Sequence, residues 1–344
     1  MKVDFRHFSL GLFSFLFLIA CNNDEKPEYE DPEEEVEVQL NNIDAVSQAL
    51  EEDPYNPGLY FTRANLYYDE GSYELALQDM QSAITLDSTV VDYYIVLSQL
   101  FIETGNAEKA ILGMRKAIAI APDDVTSYLL AGKYAYIVQE YQSAVDFLNQ
   151  ALVIDVTNPD AYFLKGAIYR DMGDTAKSIS NFLTCVEQDP SYDEAFLQVA
   201  LLYSYQKDPL AITYYNNALK SNPDNLFVYN GLGKYYMRQG QFKDAITAFR
   251  EIIIRDMDAP ETMYQIAECY LEMDSIDKAY LHFDMAIESD PLFVEAYYKR
   301  GYVALLKDDL KNARFNFEQA LNIDDTYQPA IDALALVDEI EGKS

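Results

Sequence analysis

The chain has no tryptophan, two histidines and three cysteines in 344 residues. So few imidazoles and thiols exclude a His-pair metal centre and a disulfide framework. His7 lies in a segment expected to be removed, which leaves His282 alone for any Cys–His or Ser–His–Asp arrangement. Glycine (13) and proline (12) are scarce. No Gly-rich phosphate loop, His-x-x-x-His pair, calcium loop or nucleophile elbow occurs. Cations are short as well: 25 Lys and Arg against 58 Asp and Glu give a formal charge of −33. A surface that acidic repels phosphate backbones and anionic lipid, which argues against a nucleic-acid partner. These absences predict no enzyme, no cofactor, no metal and no small-molecule substrate, with a carboxylate hydrolase as the remote alternative.

What the chain does have is one unit many times over. Its best copy is Leu226–Ala259, two short amphipathic helices over about 226–239 and 242–255. Tyr229, Leu232, Gly233 and Tyr236 share one face of the first helix; Ala245, Ile246, Phe249 and Ile252 share one face of the second. Gly240 between them suits the left-handed residue that ends a helix. The unit recurs at a period of 34, starting at Pro57, Val91, Val125, Pro159, Asp193, Leu226, Pro260 and Val294. Repeat five is one residue short, with Lys207-Asp208-Pro209 at its turn, and repeats seven and eight put Asp274-Ser275 and Asp308-Asp309 there. Cys185 and Cys269 fall on core faces, three repeats apart, and are expected to be buried and unbridged.

The spacing of aromatic, small, aromatic, Ala and Pro positions resembles the tetratricopeptide repeat, over residues 57–327. The resemblance implies an all-α fold: a right-handed superhelical solenoid of eight helix-turn-helix repeats, its first helices lining a concave groove. Segments 39–56 and 328–344 match a lone second and a lone first helix, and are expected to cap the stack.

The N-terminus carries a different signal. Lys2 and Arg6 precede the apolar run Phe8–Ala20, whose thirteen residues fall short of the about 20 that span a bilayer. That is the form of a secretory signal, here 1–20. Leu18-Ile19-Ala20-Cys21 resembles a bacterial lipobox, which implies lipid attachment at Cys21; the alternative is an ordinary signal peptide. Residues 21–38 hold nine acids, Pro27 and Pro32, and are expected to form a disordered tether. Asp24 and Glu25 resemble the surface-export signals of Bacteroidota lipoproteins, the plainer alternative being a solvated spacer. The expected location is the cell envelope, lipid-anchored, at the outer membrane.

The groove of the resembled family takes extended peptides or partner helices. The expected function is therefore a membrane-anchored scaffold that binds protein or peptide segments, in envelope assembly, secretion or cell-wall enzyme docking. A self-associating structural subunit is the alternative. Groove residues expected from register are Phe61, Ile95, Leu129, Phe163, Leu197, Asn230, Tyr264 and Tyr298, which follow the leading aromatic of each repeat (Met263 in the seventh). Lys133, Arg170, Lys234 and Arg238 add a basic centre suited to a carboxylate or acidic segment. No repeat carries the Lys-then-Asn pair of the chaperone-type carboxylate clamp, and the asparagine ladder of glycosyltransferase-linked arrays is absent.

Overall fold

A computed structural model describes residues 42–342. The signal, Cys21 and the tether lie outside the described residues, as do the last two positions. Every element among the described residues is an α-helix. Helix α1 (Ile43–Glu52) stands alone within the expected cap. Four hairpins follow: α2 (Pro57–Asp69) with α3 (Tyr73–Leu86), α4 (Val91–Glu103) with α5 (Ala107–Ile120), α6 (Val125–Ile137) with α7 (Tyr141–Ile154), and α8 (Pro159–Asp171) with α9 (Thr175–Gln188). Four more complete the array: α10 (Asp193–Tyr205) with α11 (Leu210–Ser221), α12 (Leu226–Arg238) with α13 (Phe242–Arg255), α14 (Pro260–Glu272) with α15 (Ile276–Ser289), and α16 (Val294–Leu306) with α17 (Leu310–Ile323). Helix α18 (Gln328–Ile340) closes the stack as a lone first helix.

Local chemistry sets these boundaries. Asn56, Asp124, Asn158 and Asn225 cap first helices by accepting from first-turn N–H groups, and Pro57, Pro159 and Pro260 begin theirs where a missing N–H costs nothing. Inside each hairpin the chain turns through one left-handed residue: Gly71, Gly105, Gly173 and Gly240 in four repeats, but Gln139, Lys207, Asp274 and Asp308 in the others. The turn shape is thus kept even where glycine is not, at a cost of roughly 1–2 kcal/mol for an L-residue. Repeat three belongs to this second group through Gln139, a departure the sequence pattern does not flag.

Each hairpin is locked by a large side chain of the second helix against a small residue of the first. Phe182, Phe249, Phe283 and Phe317 are fully buried. A Cβ added at Gly166 would come within 2.7 Å of the Phe182 ring, and one at Gly301 within 2.7 Å of Phe317. Gly233 meets the Phe249 ring in the same way, while its expected counterpart Ala245 is buried beside it.

Every helix packs on the next in sequence, and first helices also touch across repeats: α2 on α4, α6 on α8, α10 on α12, α16 on α18. First helices therefore form the inner, concave layer and second helices the outer one. This is the solenoid of stacked helix pairs.

The concave face as candidate functional site

Side-chain bonds between first helices of different repeats mark the residues that share the inner face. Arg170 of α8 donates to Gln198 of α10 at 2.8 Å. Lys299 of α16 pairs with Glu268 of α14 at 3.3 Å. Arg238 of α12 donates to Ser204 of α10.

The eight residues expected from register to line the groove sit lower than the sequence suggests. Leu197 is buried, and Phe61, Ile95, Leu129, Phe163, Asn230, Tyr264 and Tyr298 are half-buried. The aromatic ones lean into the seams. Phe163 lies 5.4 Å from Phe182 and 5.0 Å from Tyr192, centroid to centroid; Tyr264 sits 5.3 Å from Phe283 and 5.2 Å from Phe293. Phe61 packs on Tyr93 and Tyr298 on Phe317 and Tyr327. These rings hold one repeat to the next and offer the groove an edge.

The four cations do not act as one group. Arg170 is committed to Asp171 at 2.9 Å, and Tyr136 donates its hydroxyl to the same carboxylate. Burial and the Asp171 bond push the Tyr136 hydroxyl well above its ordinary range, so it stays a donor. Lys133 is half-buried; burial lowers its pKa, opposed by Asp160 and Glu103 on the flanking first helices. Arg238 lies over the Tyr205 ring at 6.0 Å. Lys234 is exposed and has no hydrogen-bond or ion-pair partner among the described residues. The expected basic centre therefore narrows to Lys234 and Arg238 on α12.

Tyr205, beside them, is 69% exposed. It holds the same place in α10 as Arg238 in α12, a position read from sequence for cations and not for exposed rings. Two amide oxygens nearby, Asn230 Oδ1 and Gln265 Oε1, are buried without a hydrogen-bond partner among the described residues, an unusual expense in a folded chain.

The remaining reactive side chains are quiet. Cys185 and Cys269 are buried and free, and burial pushes both thiols up to about 12, so neither is a thiolate at neutral pH. His282 donates Nδ1–H to the Lys278 carbonyl at 2.9 Å and packs on Tyr270, with burial lowering its pKa.

Family models described as tetratricopeptide repeat match residues 61–125, 159–192, 201–260, 236–300 and 294–327. Among curated proteins, the general transcriptional corepressor ssn6 of Schizosaccharomyces pombe is 27% identical over 139 residues, covering 40% of this chain and 13% of that one. DnaJ homolog subfamily C member 3 of Gallus gallus is 22% identical over 203 residues, covering 54% of this chain and 40% of that one. A TPR repeat-containing protein of Methanocaldococcus jannaschii is 25% identical, covering 60% and 38%. The chain thus spans well under half the length of these relatives. Among solved structures, a tetratricopeptide repeat protein from Parabacteroides merdae aligns with TM-score 0.49 at 18% identity, over 72% of this chain and 98% of that one. YrrB, described as a TPR protein with an unusual peptide-binding site, aligns with TM-score 0.44 at 22% identity, over 55% and 98%.

Proposed function

We propose that this chain, which belongs to the tetratricopeptide repeat proteins, is a non-catalytic scaffold anchored in a bacterial envelope. Tetratricopeptide repeats mediate protein–protein interactions. In this chain the concave face of α10 and α12 is the seat for an extended partner segment. The observation that carries this is the conjunction on α12 and its neighbour: Lys234 exposed and unpaired among the described residues, Arg238 over an exposed Tyr205. In a chain of formal charge −33, two such cations beside an open ring favour a segment with acidic and apolar side chains.

The test is Lys234→Glu with Arg238→Glu. Each exposed ion pair is worth about 0.2–1 kcal/mol, and reversal turns attraction into repulsion. Crosslinked capture from the native envelope should then fall about tenfold, with an unchanged circular dichroism melt. Equal capture by the double variant removes this seat.

The anchor belongs to the same proposal and rests on the Leu18-Ile19-Ala20-Cys21 motif. Each buried methylene contributes about 0.8 kcal/mol, so several acyl chains hold a protein durably at a membrane. Cells fed labelled palmitate should incorporate it into the wild-type chain and not into Cys21→Ala. Equal labelling of the two would refute lipidation at that residue.

A further inference from the structure

We propose that the C-terminal end of the concave face is a second docking surface, shaped and charged for a cationic amphipathic helix. The proposal rests on the concave layer being the binding side, but it concerns other residues and another ligand chemistry than the α12 seat.

The ninth and thirteenth residues of each first helix point into the groove. In α8 they are Ala167 and Asp171, in α12 Lys234 and Arg238, in α14 Glu268 and Glu272. One earlier first helix, α10, has an apolar pair there, Leu201 and Tyr205, but only the last two first helices carry such pairs side by side: Tyr302 and Leu306 on α16, Leu336 and Ile340 on α18. All four are between 40% and 53% exposed. On each helix the pair is spaced i, i+4, and α16 touches α18 directly. With i, i+4 neighbours about 6 Å apart and packed helices about 8–10 Å apart, the four form one patch that a single helical face covers. An exposed apolar patch of this kind marks an interaction site.

The surrounding charge selects the occupant. Glu272 and Glu339 are exposed acids near the C-terminal ends of α14 and α18, beside the patch. Among the described residues, most cations at this end are occupied: Lys299 by Glu268, Arg300 by Asp284, Lys307 by Asp277 at 2.7 Å, Arg314 by Asp338 and Glu341; the exposed Lys311 lies on the outer helix α17. An apolar patch in an acidic rim takes an apolar stripe flanked by Lys or Arg. A second copy of this chain fits poorly, because pairing patch to patch sets Glu272 and Glu339 against their equals.

The probe is a synthetic helix of about 18 residues, Leu on one face and Lys on the other, with a Leu/Glu counterpart. Fluorescence anisotropy on the full chain should show the Leu/Lys helix binding at least about tenfold tighter than Leu/Glu. Leu306→Glu with Leu336→Glu should abolish that binding, leave the thermal melt unchanged, and leave Lys234/Arg238-dependent capture intact. Glu272→Lys with Glu339→Lys should reverse the preference between the two helices. Equal affinity for the two helices, or Leu/Lys binding that survives the double Leu variant, overturns the proposal while leaving the α12 seat standing. So does a concentration-dependent dimer that the double Leu variant abolishes, which would make the face a contact between copies.

Discussion

Gly233→Val is expected to cost about 1–3 kcal/mol by overpacking and to divide the thermal melt into two transitions. The physical reason is the Phe249 ring, fully buried and in contact with the space a Cβ at 233 would take. The ring cannot retreat, because Ala245, Ile246 and Ile252 are buried around it in the same cluster. Valine adds two further carbons to a position that has no room for one. The consequence spreads through the way a solenoid is built. Each repeat contacts only its neighbours, so stability is a sum of repeat and interface contributions. Damage to the α12–α13 hairpin therefore uncouples the helices before it from those after it. Repeat five, one residue short, adjoins that hairpin, and α11 makes the sparsest contact with its successor of any second helix. Gly233→Ala should cost less, since alanine regains roughly 1 kcal/mol of helix propensity over glycine. Far-UV circular dichroism on heating, with both variants beside wild type, checks this. A single, unshifted melt for the valine variant would mean that the hairpin does not pack as described.

Much of this was legible in the residues, for a stated reason. A period of 34 repeated eight times fixes which residues must be equivalent, so the small-against-large contact read from one hairpin transfers to the rest, with Met80, Met114 and Leu148 in place of an aromatic ring in the first three. Cys185 and Cys269 were placed in the core by that register alone, and both are buried and free. Three things were not legible. Periodicity says which side of a helix a residue occupies but not how far a long side chain leans. Phe163 and Tyr264 share the groove side with Lys133 and Glu268, yet their rings reach down into the seams between repeats. Apart from Asp171, which adjoins Arg170 in sequence, the partners of the cations were hidden for a second reason: they lie in neighbouring repeats. Arg170 meets Gln198, and Arg238 meets Ser204, across distances in sequence that no local pattern connects. The turn at Gln139 is a third case, since a left-handed backbone can be forced on a residue that does not advertise it.

Arg63→Ala is expected to have the largest local effect, about 3–5 kcal/mol, and to act on one end of the molecule only. Arg63 donates from Nε and a terminal nitrogen to both oxygens of Asp79, at 2.7 and 2.9 Å, and from its other terminal nitrogen to Ser47 Oγ at 3.0 Å. Those bonds raise the guanidinium pKa, with the Asp79 hydrogen bond as the main cause, and they join α1, α2 and α3. Asp79 is only 5% exposed. Removing the arginine leaves a buried carboxylate without its counter-charge, which costs far more than the pair itself contributes. Asp79→Ala should be milder, because the arginine left behind retains partial access to water. Replacing both, as Arg63→Met with Asp79→Leu, should recover most of the loss, within about 1 kcal/mol of wild type. Because the network belongs to the first repeat, opening should begin there. Hydrogen exchange is expected to accelerate in α1–α3 of Arg63→Ala while α14–α17 keep their protection. Uniform acceleration along the chain would show that the array unfolds as one cooperative body. A loss below about 1 kcal/mol would show that water already reaches Asp79.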